Sequence, residues 1–260
     1  MEPCQHVWFF HIASGLVAND IKRFSHMISV SLGKAFASAG RELGRPEVFA
    51  AFYPYSELKH TWKGDRERIT FKISDYLSDA PENVLESLSW YLLSRAVGMK
   101  CPLEKSDRYL VYARSRELWE SKKELYLSRS RNLSFEPRGS ARDLREVFDY
   151  VNSFYFASRL QDPILAWATE SPQRRLGFYF QPLNLLVANR ALDSNAVPRY
   201  VLEFVVFHEL LHHVSAGSGR AARRVHHTLE FKNQERAFSH YDDAKRWLRR
   251  IASRRCSKRR

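Results

Sequence analysis

Three residues carry the chemistry most plainly: His208, Glu209 and His212, in the segment His208-Glu209-Leu210-Leu211-His212. This is an H-E-x-x-H pattern. In a helix, residues four apart share a face, so His208 and His212 can turn two imidazoles toward one metal ion. Glu209 projects beside them, where a carboxylate can take a proton from metal-bound water. Zinc held by imidazoles lowers the pKa of its water to about 7, and the nearby carboxylate completes the deprotonation. Two histidines and a glutamate on a core helix are otherwise costly, because unpaired polar groups resist burial.

A catalytic zinc site needs a third protein ligand. His227, fifteen residues after His212, is the favoured candidate, and His226 competes with it. The stretch from Ala216 to Arg220 contains Gly217 and Gly219, which would end the motif helix and turn the chain back. Phe231, one turn beyond His227, would pack inward. His213 lies roughly 100° around the helix from His212, off the metal face. Glu230 and Glu235 are weaker ligand candidates and read as helix-surface residues. His6, His11, His26, His60 and His240 have no ligand spacing.

The elements that must hold these residues are legible in outline. The apolar run from Tyr200 to Phe207 suits a buried helix, with Pro198 in its first turn and Ser194 or Asn195 as its cap. Ser140 to Asp143 has the form of a capping box and would open an earlier helix. Between them, Ile164–Trp167, Leu176–Phe180 and Leu185–Ala191 read as three strands, separated by Pro172 and Pro182.

These blocks, taken in order, resemble the SprT-like zinc metallopeptidases, a group that includes the Spartan proteases. Leu144–Phe156 is similar to the family's opening helix, with Asn152, Tyr155 and Phe156 in its N-x-x-Y/F-F element. Leu160–Trp167, Leu176–Tyr179 and Leu185–Leu192 resemble its three strands, and His227 with Phe231 its third-ligand element. Thr228 departs from the small residue usual after that histidine. The resemblance spans about residues 140–250. It implies an α+β, zincin-like fold with a small three-stranded sheet and an H-E-x-x-H helix. It also implies a zinc metallopeptidase with Zn2+ on His208, His212 and His227 and with Glu209 as general base. The substrate would be a protein or peptide, by analogy one associated with DNA. A strand beside the motif helix would pair with extended substrate. The YgjP/WLM-type zincins, some of them proposed nucleotide pyrophosphatases, are a more distant likeness with a shorter gap before the last histidine. They supply the alternative of a zinc-dependent nucleotide phosphohydrolase. A non-catalytic, zinc-stabilised DNA-binding protein is a third reading, opposed by Glu209, since a structural site needs no base.

The 260 residues suit one large domain or two small ones. The division expected is an N-terminal α+β region over 1–130, a catalytic domain over 140–253 and a basic tail over 254–260. The net charge is +13, but nine of the basic residues lie between Ala244 and Arg260, and the rest of the chain carries only +4. That Lys245–Arg260 segment, with the Arg220, Arg223 and Arg224 cluster, is a candidate contact for nucleic-acid phosphates. Trp247, Leu248 and Ile251 would dock its first half on the catalytic body. No apolar run reaches transmembrane length, and Cys4, Cys101 and Cys256 lack disulfide or metal spacing. A cytoplasmic protein with no membrane partner is the expectation. In the first half, Ile21–Ala39 reads as helix, and Glu47–Tyr55 and Arg68–Ile73 as a strand pair linked through Lys63–Asp65. A helix capped by Asp79 follows, then a single helix over Leu103–Leu127. Ser128–Ser140 reads as linker.

Overall fold

The computed structural model describes residues 30–45, 47–65, 67–169, 175–216 and 228–257, without the side chains of residues 215, 216 and 251–257. The chain divides into two units, Met1–Ser130 and Arg131–Arg260. Each mixes helices with a small sheet, so the fold class is α+β.

In the first unit, α1 (Val30–Glu42) buries Leu32, Ala35, Phe36 and Ala39, the spacing of one helical face. That face meets a three-stranded sheet, where Phe36 lies 4.9 Å from Phe71. β1 (Glu47–Tyr53) runs parallel to β3 (Arg68–Ser74), with Glu47 opposite Arg68. β2 (His60–Gly64) is antiparallel to β3 on its other side. Lys63 and Gly64 are therefore strand residues, not a link, and the expected pair is a trio. The polar composition of β2 hides it from a hydrophobic pattern.

α2 (Glu82–Ala96) has Pro81 at its N-cap with no side-chain cap, and Asp79 instead accepts from Lys122 Nζ at 2.8 Å. The single helix expected beyond it is two, α3 (Leu103–Tyr112) and α4 (Arg116–Arg129). Ser115 breaks it: its Oγ accepts from Leu118 N at 3.2 Å, a favourable N-cap that restarts the helix. Trp119 Nε1 donates to Ala113 O at 2.9 Å and pins the turn.

The second unit is built on a sheet ordered β4-β5-β7-β6. β5 (Ile164–Ala168) and β7 (Leu185–Asn189) are parallel, and β6 (Gly177–Phe180) is antiparallel to β7 at the edge. The three strands expected gain a fourth, β4 (Leu133–Ser134), from the stretch read as linker. Two residues are too few to show alternation. All five residues of β7 are buried, as a strand covered on both faces requires.

α5 (Leu144–Phe156) starts at Asp143, whose side chain caps Arg145 N at 2.8 Å. Ser140 does not cap it. Its N and Oγ donate to Asp193 Oδ2 at 2.7 and 3.0 Å, while Ala141 N and Arg142 N donate to Oδ1. Asn152 clamps the far end through Leu160, donating to its carbonyl at 3.1 Å and accepting from its N–H at 3.2 Å. Ser194 forms a turn ahead of α6 (Arg199–Ala216), accepting from Ala196 N and Val197 N. One core joins α5, the sheet and α6 to two further helices, the short α7 (Leu229–Glu235) and the long α8 (Tyr241–Ser257). Trp247 and Leu248 pack against it, so the first half of the basic segment is docked. α8 runs to Ser257. Among the described residues no helix is long and apolar enough to cross a membrane.

Candidate metal centre

α6 presents its apolar residues to the core from Val201 to Leu211. The same helical repeat leaves His208, Glu209 and His212 only partly covered. His208 Nε2 and His212 Nε2 face each other at 3.2 Å. Two metal–nitrogen bonds of about 2.0–2.1 Å at a tetrahedral angle separate their nitrogens by about 3.3 Å, so the pair fits one zinc ion. The two rings stand at 85° to each other. Phe231 sets both, stacking on His212 at 4.5 Å and meeting His208 edge-on at 5.3 Å. Phe231 is itself fixed by the start of α7, where its N–H donates to Thr228 Oγ1 at 3.1 Å. Thr228 is thus the N-cap of this helix.

Glu209 turns toward the edge strand. Burial pushes its carboxyl up, opposed by His208, Arg175 and the Tyr179 backbone N–H, and the balance is a raised proton affinity. Arg175 is held nearby, its Nε donating to Gly177 O at 3.1 Å. Tyr179 contributes its N–H to Glu209 and its ring to His213, 4.7 Å away. The Tyr179 hydroxyl donates to Asn184 Oδ1. His213 is therefore packed on β6, away from the metal face, and burial lowers its pKa.

Glu235 corrects the reading from sequence. It is not a surface residue: it is buried, and its Oε1 lies 2.7 Å from His208 Nδ1. Lys245 Nζ donates to the same oxygen at 3.1 Å. Burial pushes the Glu235 carboxyl up, but His208 and Lys245 outweigh it and hold it down at about 2. Lys245, counted above with the basic tail, is thus paired with Glu235. Arg246 pairs with Asp243. Glu230 is exposed. No sequence signal links Glu235 to His208, since the two lie 27 residues apart on different helices. Its nearest hint is the i, i+4 spacing that puts Glu235 on the same face of α7 as Phe231.

The structure brings His208, Glu209 and His212 together. His226, His227 and the Arg220, Arg223 and Arg224 cluster lie outside the described residues. Among the described residues no group of three or more His, Cys, Asp or Glu forms a ready metal cluster. No protein-family model, curated protein or solved structure matches the chain.

Proposed function

We propose that this protein is a zinc-dependent metallopeptidase. The observation that carries the reading is the 3.2 Å convergence of His208 Nε2 and His212 Nε2, with the Glu209 carboxylate one residue along the same helix. His227 is the proposed third ligand. The residue after it, Thr228, opens the helix that lays Phe231 against both imidazoles. A zinc ion bound there supplies a Lewis acid that makes water a competent nucleophile near neutral pH.

The chain's own groups do the rest. Glu209 accepts the proton of the attacking water at its carboxylate and returns it to the leaving amine. The Tyr179 N–H and Arg175 hold that carboxylate in place. β6 is the edge strand beside α6, and an extended peptide laid along it would present its carbonyl close to Glu209. The basic residues from Arg249 to Arg260 support DNA-associated proteins as the substrate class.

The test is cleavage of an unstructured protein and of a DNA-binding protein by the zinc-loaded chain, with and without single-stranded DNA. Glu209→Gln is expected to keep its zinc and lose at least about 100-fold in turnover. Equal cleavage by the variant would remove Glu209 as base. Release of pyrophosphate from a nucleoside triphosphate, with no peptide cleaved, would replace the peptidase by a nucleotide phosphohydrolase.

A further inference from the structure

We infer that Glu235 is a positioning residue that fixes the proton of His208 on Nδ1 and so aims its Nε2 lone pair into the metal site; this rests on the metallopeptidase reading. A neutral imidazole has one N–H and one lone pair, and the partner of one nitrogen decides which it is. A carboxylate can only accept. Glu235 Oε1, 2.7 Å from Nδ1, therefore requires the hydrogen there. Nε2 is left as the electron-pair donor, and it is Nε2 that faces His212. The second partner of Glu235 is Lys245 on α8. Lys245 Nζ donates to the same oxygen at 3.1 Å. Lys245 is in turn seated 5.4 Å from the ring centres of Phe204 and Tyr241. Contacts thus run from α8 through α7 to α6, and within them Glu235 alone sets His208.

The rival explanation is that Glu235 and Lys245 form an ion pair that merely ties α7 to α8. The geometry weighs against it, because His208 makes the shorter contact of the two. Substitution separates the two roles. Glu235→Gln preserves shape but offers an amide that can donate to Nδ1 as readily as accept from it. Lys245→Met removes the ion pair and leaves Glu235 on His208.

Two quantities are to be measured on the full chain. The first is zinc affinity by competition with a chelator. The second is the tautomer of His208 in the metal-free protein, from its ring-nitrogen resonances. Glu235→Gln is expected to weaken zinc about 10–100-fold and to populate the Nε2–H form of His208. Lys245→Met is expected to stay within about threefold of the parent in affinity and to keep the Nδ1–H form. A folded Glu235→Gln with unchanged tautomer and affinity overturns the inference. So does a Lys245→Met that costs as much zinc as Glu235→Gln. If Glu235→Gln does not fold, the parent chain decides alone: an Nε2–H His208 in the metal-free protein also overturns it. Neither readout uses substrate. A chain that shows this dependence and cleaves nothing refutes the peptidase and leaves Glu235 in its role. A parent that binds no zinc refutes the metal site, while the tautomer still tests Glu235.

Discussion

Phe231 packs on both imidazoles, flat against His212 and edge-on to His208. It is also fully packed, at 2% exposure. Truncation would therefore act twice. Phe231→Ala leaves a cavity that costs about 3–5 kcal/mol. It also frees both rings to rotate, so the entropy of ordering them is then charged against metal binding. Thermal unfolding of the metal-free chain should show the first effect, and chelator competition the second. A variant with lowered melting temperature but parental zinc affinity would show that the helix backbone alone orients the rings. The motif histidines and Glu209 are visible in the sequence because their chemistry depends on a spacing of one and four. Phe231 is visible as an apolar residue one turn into a helix. Glu235 is not, because its meaning depends on α7 crossing α6, and a lone glutamate on a short polar helix has the pattern of a solvated one.

Gly177 does at the level of elements what Phe231 does for two side chains. A Cβ built there would lie 2.9 Å from Val205 Cγ1, 3.1 Å from Val187 O and 3.3 Å from Glu209 Cγ. The glycine is there for room: β6 and α6 approach too closely for any side chain between them. Gly177→Ala should cost about 1–3 kcal/mol by overpacking. It should move Glu209 relative to the Tyr179 N–H more than it moves His208, which faces α7. Turnover is then expected to fall at least tenfold, with zinc affinity changed much less. Equal losses in both would mean that α6 shifts as a rigid rod. The helices and central strands of this unit are legible because apolar periodicity marks what is buried. What is missed has little periodicity: the two-residue β4, the polar β2, and the break at Ser115 inside an otherwise continuous helical pattern. Ser115 does carry a signal, a serine three residues ahead of the buried Leu118 whose N–H it caps, but charge on both sides of it obscures the boundary.

At the scale of the whole molecule, two separately packed units should answer to different perturbations, acid for one and zinc for the other. His60, in the first unit, is 5% exposed. Its Nδ1 accepts from Ser74 N at 3.2 Å, and its Nε2 lies 2.9 Å from the Tyr109 hydroxyl. Nδ1 must then carry the lone pair, so His60 is neutral with its hydrogen on Nε2. Protonation would set an N–H against the Ser74 N–H inside the core. Burial accordingly lowers its pKa from 6.5 to about 3. The unfolded chain binds this proton more readily than the folded one. The stability linked to His60 is therefore complete above pH 6.5 and drains away as pH falls toward about 3, by up to about 5 kcal/mol. His60→Gln has no titration and should flatten that dependence. Hydrogen exchange of the metal-free full chain at pH 7.5, 6 and 5, corrected for intrinsic rates, is the measurement. Amides of β2, β3 and α3 should lose protection with acid in the parent and much less in the variant. Amides of α6 should respond alike in both and gain protection only when zinc is added. A parental acid slope retained in His60→Gln would assign the acid sensitivity of the first unit to groups other than His60.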